Sequence, residues 1–261
     1  MVSAMGTGPT DARPIQVRIA DDVRMRIETG EYKPGDRLPS LDELAETHLC
    51  SLTAARRALD LLKQQGLVIS TQGKGNFVRQ RPSARRHGVE RYSRSRWRSG
   101  EAVLDAEAAR QGLTAGQVMR ELADVPAPAT VADRLRIEPG TTVFVRRRTT
   151  MINDRPNQLA DSYYPLALVE RVPQIREENT GPGGGFARIE DAGILLDRIS
   201  EEWSSRMPTG PETVALRLPA GTPVIDLVRT TYDTEGHPVE VMLAVIAADM
   251  VRMAYEFKIP D

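Results

Sequence analysis

One cysteine, Cys50, and three scattered histidines, His48, His87 and His237, are all the soft metal ligands in these 261 residues. A single thiol excludes an internal disulfide and a zinc site built from several cysteines, and the histidines follow no ligand spacing, so each reads as a surface or cap residue. Lysine is scarce where a cofactor amine would be needed: after Lys74 only Lys258 remains, at the extreme C-terminus, a poor position for a Schiff base with pyridoxal. Nucleophile–base pairs and Walker-type phosphate loops are missing as well, so no cofactor, metal or catalytic set is expected. No apolar run approaches the roughly 20 residues that span a bilayer. The stretch Met1–Ala12, rich in Gly, Thr and Ser, has neither the charged nor the apolar region of a secretory signal and reads as disordered. A cytoplasmic location without a membrane partner is the expectation.

What is present is an uneven distribution of charge. The net charge of −1 conceals a division: Arg13 to Arg98 carries 18 Lys and Arg against 10 Asp and Glu, a net of +8, whereas Ser99 to Asp261 carries 17 against 25, a net of −8. The first part is attracted to a polyanion and the second is not. The length allows two domains, each with its own core.

The local signals are sharpest between Gly35 and Val78. Ser40 with Glu43 three residues on makes a capping box, which starts a short helix at Leu41. Ser51 caps a second helix whose Leu52, Ala55, Leu59 and Leu62 recur at three- and four-residue steps, and Gly66 ends it. Leu67–Ile69 and Phe77–Val78 then flank Thr71–Asn76, with Gly73 and Gly75 at the tip, as a strand–turn–strand ribbon. An earlier helix, Ile15 to Thr29, offers Ile19, Ala20, Val23 and Ile27 to the same core. Two helices and a ribbon in this order make a winged helix-turn-helix. Ser51, Thr53, Arg56 and Arg57 lie at the end of the second helix that enters a DNA major groove in this motif, with Arg56 placed to reach guanine. Lys74 at the tip brings charge to phosphate or the minor groove. Each feature taken alone fits a solvated basic helix beside an ordinary hairpin; together they favour DNA.

Gly35-Asp36-Arg37-Leu38-Pro39-Ser40, Glu43-Leu44-Ala45, Arg56-Arg57-Ala58-Leu59, Gly66-Leu67 and Gln72-Gly73-Lys74-Gly75-Asn76-Phe77-Val78 resemble the DNA-reading domain of GntR-family transcription regulators. The resemblance implies DNA contacts from Arg37, Ser40, Ser51, Leu52, Thr53, Ala54, Arg56, Arg57, Gln72, Gly73, Lys74 and Gly75. Three positions depart from the family pattern: Asp42 and Leu52, where Arg is frequent, and Ala54, where Thr is. A family operator consensus therefore does not transfer, and Asp42 repels phosphate.

Arg81 to Gly100 is low in aliphatic residues and reads as a basic linker. Two readings stand for it: a second phosphate contact through Arg85, Arg86, Arg91, Arg94, Arg96 and Arg98, or an extended tether with Tyr92 and Trp97 docked on a domain. From Glu101 onward the pattern is mixed. Helices are expected at Val103–Gln111, Ala129–Leu135, Phe186–Ala192 and Pro211–Leu216. Strands are expected at Val118–Val125, Thr141–Ile152, Gln158–Tyr164, Ile194–Arg206, Val224–Asp233 and Val239–Ala247. Turns fall at Asn153–Pro156 and Thr234–His237. The class is an antiparallel α+β domain. Ala132–Val143 repeats in outline as Ala215–Val224, a short helix leading through a Pro/Gly turn into a strand with arginine.

That duplication, with Gln158–Pro165 and Pro238-Val239-Glu240, resembles the UTRA effector domain of HutC-type GntR regulators, which has a chorismate-lyase-like sheet. The domains expected are residues 13–80 for DNA, 81–100 as linker and 101–261 for effector binding and dimerisation. The resemblance implies effector contacts from Arg146, Arg148, Gln158, Asp161, Tyr163, Gly184, Gly185, Phe186 and Glu240. Arg146 and Arg148, two apart on a strand, share a face and can clamp an anion; the bland reading is an exposed basic edge. Gly183–Gly185 can present amides to an anion or form a flexible lid. Gly184 and Phe186 stand where sugar-phosphate sensors have Ser and Tyr, and Ala160 and Ile246 replace a frequent Glu and Tyr, which implies an effector larger or less polar than an amino-sugar phosphate. The function expected is a homodimeric repressor released from an inverted-repeat operator in double-stranded DNA by a small-molecule effector. The competing class is a lyase-like enzyme fused to a DNA-binding domain.

Overall fold

The computed structural model describes residues 12–80, 84–87, 89–100 and 108–256. The N-terminal stretch and most of the helix expected at Val103–Gln111 lie outside them. The chain divides into two compact units, the second made of residues 82–218 and 222–261.

In the first unit, α1 (Ile15–Glu28), α2 (Leu41–Thr47) and α3 (Leu52–Gln64) precede the hairpin β1 (Val68–Thr71) and β2 (Gly75–Val78). Both expected caps form. Ser40 N–H donates to Glu43 at 2.7 Å and Glu43 N–H to Ser40 Oγ at 3.2 Å, while Ala54 N–H donates to Ser51 Oγ at 3.2 Å. Ile19, Ala20 and Val23 of α1 pack with Ala55, Ala58, Leu59 and Leu62 of α3, and Leu44, Val68 and Val78 close the core. The ribbon pairs antiparallel from Val68↔Val78 to Thr71↔Gly75, which leaves Gln72–Lys74 as a three-residue tip. Gly73 takes φ +72°, the left-handed conformation that the tight return requires.

The second unit is built on one antiparallel sheet of six strands: β4 (Ala115–Pro126), β5 (Thr142–Ile152), β6 (Arg155–Pro165), β7 (Leu196–Arg206), β8 (Val224–Asp233) and β9 (Pro238–Ala247), in the order β4-β5-β6-β9-β8-β7. This is the α+β class expected. The internal duplication is structural as well. Helix Ala129–Leu135 ends on left-handed Arg136 (φ +58°) and turns at Gly140, and helix Gly210–Ala215 is followed by left-handed Arg217 (φ +51°) and Gly221. Ile137 N–H reaches Ala132 O, and Leu218 N–H reaches Thr213 O, the same closing bond in both copies.

Two expectations need correction. The turn after β5 is only Asn153-Asp154, both with positive φ, and Arg155 and Pro156 already pair with Ile152 and Met151. Pro165 closes β6 and leads directly into helix Leu166–Arg171, because proline's fixed φ suits a helix start. The segment after residue 81 is not an extended tether. Ala84–His87 forms β3, parallel to β10 (Val251–Ala254); a single 3-10 turn spans Val89–Tyr92, and α4 spans Arg94–Arg98. A backbone ladder needs no aliphatic side chains, so low aliphatic content hid it. Trp97 is buried in the main core with Phe144, Tyr164, Leu168, Phe186 and Ile189, and Tyr92 packs on that cluster, as the docking reading expected.

Candidate functional site

The surface around the start of α3 is cationic and unpaired. Thr53, Arg56 and Arg57 are exposed on α3, as is Lys74 on the ribbon tip, and none of these three cations meets an acid among the described residues. Several other cations on this unit are neutralised locally: Arg24 by Asp21 at 2.8 Å, Arg26 by Glu31 at 2.6 Å and Lys63 by Asp60 at 3.2 Å. Leaving Arg56, Arg57 and Lys74 without partners concentrates positive potential on one side. Arg37 lies across the ribbon, where a Cβ at Gly75 would come within 3.2 Å of its Nε. Gly73 has open space around it, so a nucleic-acid backbone can approach the tip closely. Gln72 beside it is exposed.

Within the expected DNA-reading set, three residues act differently. Ala54 is only 9 % exposed and faces the core, and its amide is used by the Ser51 cap, so its side chain is withdrawn from any ligand. Ser40 and Ser51 each accept one cap bond at the hydroxyl oxygen, which leaves the O–H donor and a second lone pair for another partner. Leu52, the first residue of α3, is 52 % exposed despite being apolar.

In the second unit a polar cavity of about 150 Å³ opens over one face of the sheet. Strand alternation sets its floor: Arg148 and Thr150 from β5, Gln158, Ala160 and Tyr164 from β6, Arg229 from β8, and Glu240 and Met242 from β9. Gln117 of β4 lines one side. Gly183–Phe186, entering helix Gly184–Asp191, close over it, and Arg91 comes from the 3-10 turn after the first unit. The cavity lies below the roughly 300–1,000 Å³ usual for drug-sized ligands. Arg91, Arg148, Arg229, Glu240, Gln117 and Gln158 line it beside Ala160, Phe186 and Met242.

At the centre stands Glu240. Arg229 Nη2 donates to its Oε2 at 2.7 Å, the Tyr164 hydroxyl donates to Oε1 at 2.9 Å, and Thr231 Oγ1 lies 3.3 Å from Oε2. Burial by itself pushes a carboxyl up, but Arg229 and Arg148 outweigh it and hold Glu240 below the usual carboxylate range. Burial, reinforced by the Glu240 charge, pushes Tyr164 well above a normal phenol. Arg148 donates to Ser162 Oγ at 2.7 Å through Nη2, while its buried Nε has no partner among the described residues.

Of the nine expected effector contacts, the structure brings Arg148, Gln158, Gly184, Gly185, Phe186 and Glu240 around one cavity. Arg146 shares their face but does not line the cavity: its guanidinium donates to the carbonyls of Ile175, Glu177 and, at 3.0 Å, Glu178, which commits three of its five donors to that segment. Asp161 and Tyr163 point to the opposite face, Asp161 toward Arg120 and Arg147, and Tyr163 into the cluster with Val143, Val145 and Val241. The period of two along β6 requires this once Gln158, Ala160 and Tyr164 line the cavity. Arg91, Gln117, Thr150, Tyr164 and Arg229 were missed. Tyr164 and Gln158 have the same parity on β6, a signal present in the sequence; the other four come from separate elements.

The cavity roof touches the segment that follows the first unit. A Cβ at Gly183, whose φ is +76°, would meet the Trp97 carbonyl oxygen at 2.2 Å. The Trp97 and Phe186 rings stand edge to face with centroids 5.6 Å apart, and the Arg229 guanidinium lies 5.1 Å from the Phe186 centroid. Arg94 and Arg98 share one acid, Glu190, at 2.9 and 3.6 Å, with their own side chains still exposed, whereas Arg91 is buried and faces Glu201 at 3.8 Å. Only Arg91 is thereby withdrawn from a second DNA contact; the side chains of Arg85, Arg86 and Arg96 lie outside the described residues. A larger cavity of about 560 Å³, lined by Tyr92, Trp97, Glu201 and Tyr255 among others, lies on the far side of this wall. Its Arg94 and Glu201 are already paired. No helix among the described residues is long and apolar enough to cross a membrane.

Comparison with known proteins agrees with both units. Residues 15–78 match the model of the bacterial regulatory proteins, gntR family, and residues 110–252 match the UTRA domain. An HTH-type transcriptional regulator of Streptomyces coelicolor is 33 % identical over 93 % of this chain and 92 % of its own length. The mannosyl-D-glycerate transport/metabolism system repressor MngR of Escherichia coli is 25 % identical over 87 % of this chain and 89 % of its own. A crystal structure of a GntR-family transcriptional regulator covers 95 % of this chain and 99 % of its own at 29 % identity, with a TM-score of 0.64. PhnF from Mycobacterium smegmatis shares the fold, with a TM-score of 0.57 over 92 % of this chain and 98 % of its own. The chain belongs to the GntR family of bacterial transcriptional regulators, with a winged helix-turn-helix followed by a UTRA domain.

Proposed function

We propose that this regulator is a cytoplasmic, homodimeric repressor of the HutC type, released from an inverted-repeat operator when a small polar molecule enters the Glu240 cavity. Residues 13–80 read DNA through Arg37, Ser51, Thr53, Arg56, Arg57 and the tip Gln72–Gly75. A second copy is needed because one winged helix contacts too few bases for specificity. MngR is itself a repressor by name, which supports the negative sign of control.

The observation that carries the reading is the shared wall: Arg91, Tyr92 and Trp97, just after the DNA-reading unit, pack on or line the cavity whose roof is Gly183–Phe186. A ligand that displaces Phe186 has differential contact energy with two arrangements of that segment, which a population shift requires. Binding rather than catalysis is the use of the site. Glu240 is held down and Tyr164 pushed up, so neither is poised near neutral pH as a general acid or base.

The test begins with selection of an operator from random duplexes, followed by a thermal-shift screen of metabolites. A compound that raises the melting temperature and also releases the operator is the expected result. A stabilising compound that is turned over, or that leaves operator binding unchanged, defeats the proposal.

A further inference from the structure

Leu52 is the first residue of α3 and is 52 % exposed, at the end of the helix where base edges are read. Its neighbours on that surface are polar or charged: Thr53, Arg56 and Arg57 are exposed, and the two arginines have no acidic partner among the described residues. An apolar side chain left in water amid unpaired cations gains nothing in the isolated protein. Buried in a major groove, it gains from contact with the one apolar group there, the C5-methyl of thymine. Leucine has no donor or acceptor, so against the polar edge of a G·C pair it would leave base groups desolvated and unpaired.

We infer that Leu52 reads a thymine methyl in each operator half-site. The occupant is duplex DNA, argued from charge: Arg56, Arg57 and Lys74 supply the attraction that seats the helix, and Leu52 supplies selectivity at one base pair. This inference rests on the DNA-reading role proposed above. Leu49, 93 % exposed in the turn before the Ser51 cap and left-handed at φ +49°, is the other apolar side chain nearby and serves as the comparison.

The experiment replaces each thymine of the selected operator, one position at a time, by uracil, which removes only the methyl group. Affinity is measured by fluorescence anisotropy at fixed salt. With the wild-type protein, one position per half-site should lose about fourfold, the Boltzmann factor for burying one methyl-sized group. With Leu52→Ala, whose helix propensity favours folding, uracil at that position should change nothing. A flat uracil scan with wild-type protein, or a methyl effect that persists in Leu52→Ala, overturns the inference. A methyl effect lost in Leu49→Ala and kept in Leu52→Ala also overturns it. If selection enriches no sequence at all, the DNA-reading role itself fails, an outcome seen before any uracil is introduced.

Discussion

Arg229 and Glu240, on adjacent antiparallel strands, form a buried ion pair with Nη2 2.7 Å from Oε2, and Tyr164 donates to the other carboxylate oxygen. The pair draws together β8 and β9, and through Tyr164 of β6 it fixes the middle of the sheet beneath the cavity.

Removing one partner is therefore worse than removing both. Glu240→Gln should lower unfolding free energy by about 3–5 kcal/mol, because it strands the Arg229 charge, and Arg229→Met with Glu240→Leu should restore most of it. Urea denaturation checks both. The pH dependence has a defined sign. Glu240 is lowered on folding from its ordinary value of 4.5, so its contribution is complete above that value and is lost as pH falls through the folded value. The wild type should lose stability faster than Glu240→Gln below about pH 4.5.

Arg146 and Arg148 should separate stability from response. Arg146→Ala leaves the carbonyls of Ile175, Glu177 and Glu178 without their donor, at about 1–3 kcal/mol for each carbonyl that stays buried. Arg148→Ala removes one bond to Ser162 and should change the melting temperature little while abolishing release by the effector. Operator binding without effector should survive Arg148→Ala. Melting curves and anisotropy on the same preparations decide it.

Gly183→Ala places a methyl group against the Trp97 carbonyl at a backbone angle unfavourable for alanine. The expected outcome is a lower melting temperature and weakened effector response, with operator affinity retained because the reading surface is untouched. Gly184→Ala is the control for backbone strain alone: it also has positive φ (+70°), but its added Cβ would meet nothing within 4 Å.

The reading surface makes a salt-dependent prediction. Lys74→Ala should weaken binding uniformly across sequences and reduce the slope of log K against log salt by about 0.9 per lost phosphate contact. Arg56→Ala should instead cost about 1–3 kcal/mol at the selected operator and relax preference at one base pair. Titrations at several salt concentrations, with specific and scrambled duplexes, distinguish the two.

The winged helix was legible because its determinants are local. Ser40 with Glu43, Ser51 with Ala54 and the glycine tip are each complete within a few residues, and a cap or turn is the same wherever the element is packed. The cavity was half legible. Sequence placed Arg148, Gln158 and Glu240 on strands that do line it, but an alternating strand offers two faces of equal standing. Asp161 and Tyr163, expected beside them, stand on the face away from the cavity.

The amino-acid order alone determined the capped helices and ribbon of the first unit, the six strands of the main sheet and the charge division between the two parts. Caps, turns and strand alternation are complete within a few residues, and charge is simply summed along the chain. Only tertiary structure decided which face of β6 lines the cavity, because that follows from where Phe186 and Trp97 pack. It also decided that Arg146 is spent on a loop, that Arg229 holds Glu240, and that residues 84–98 fold as part of the second unit. Each of these joins segments distant in sequence. Such contacts form only when the burial of both partners outweighs the entropy of closing a long loop, a balance that no short stretch of residues records.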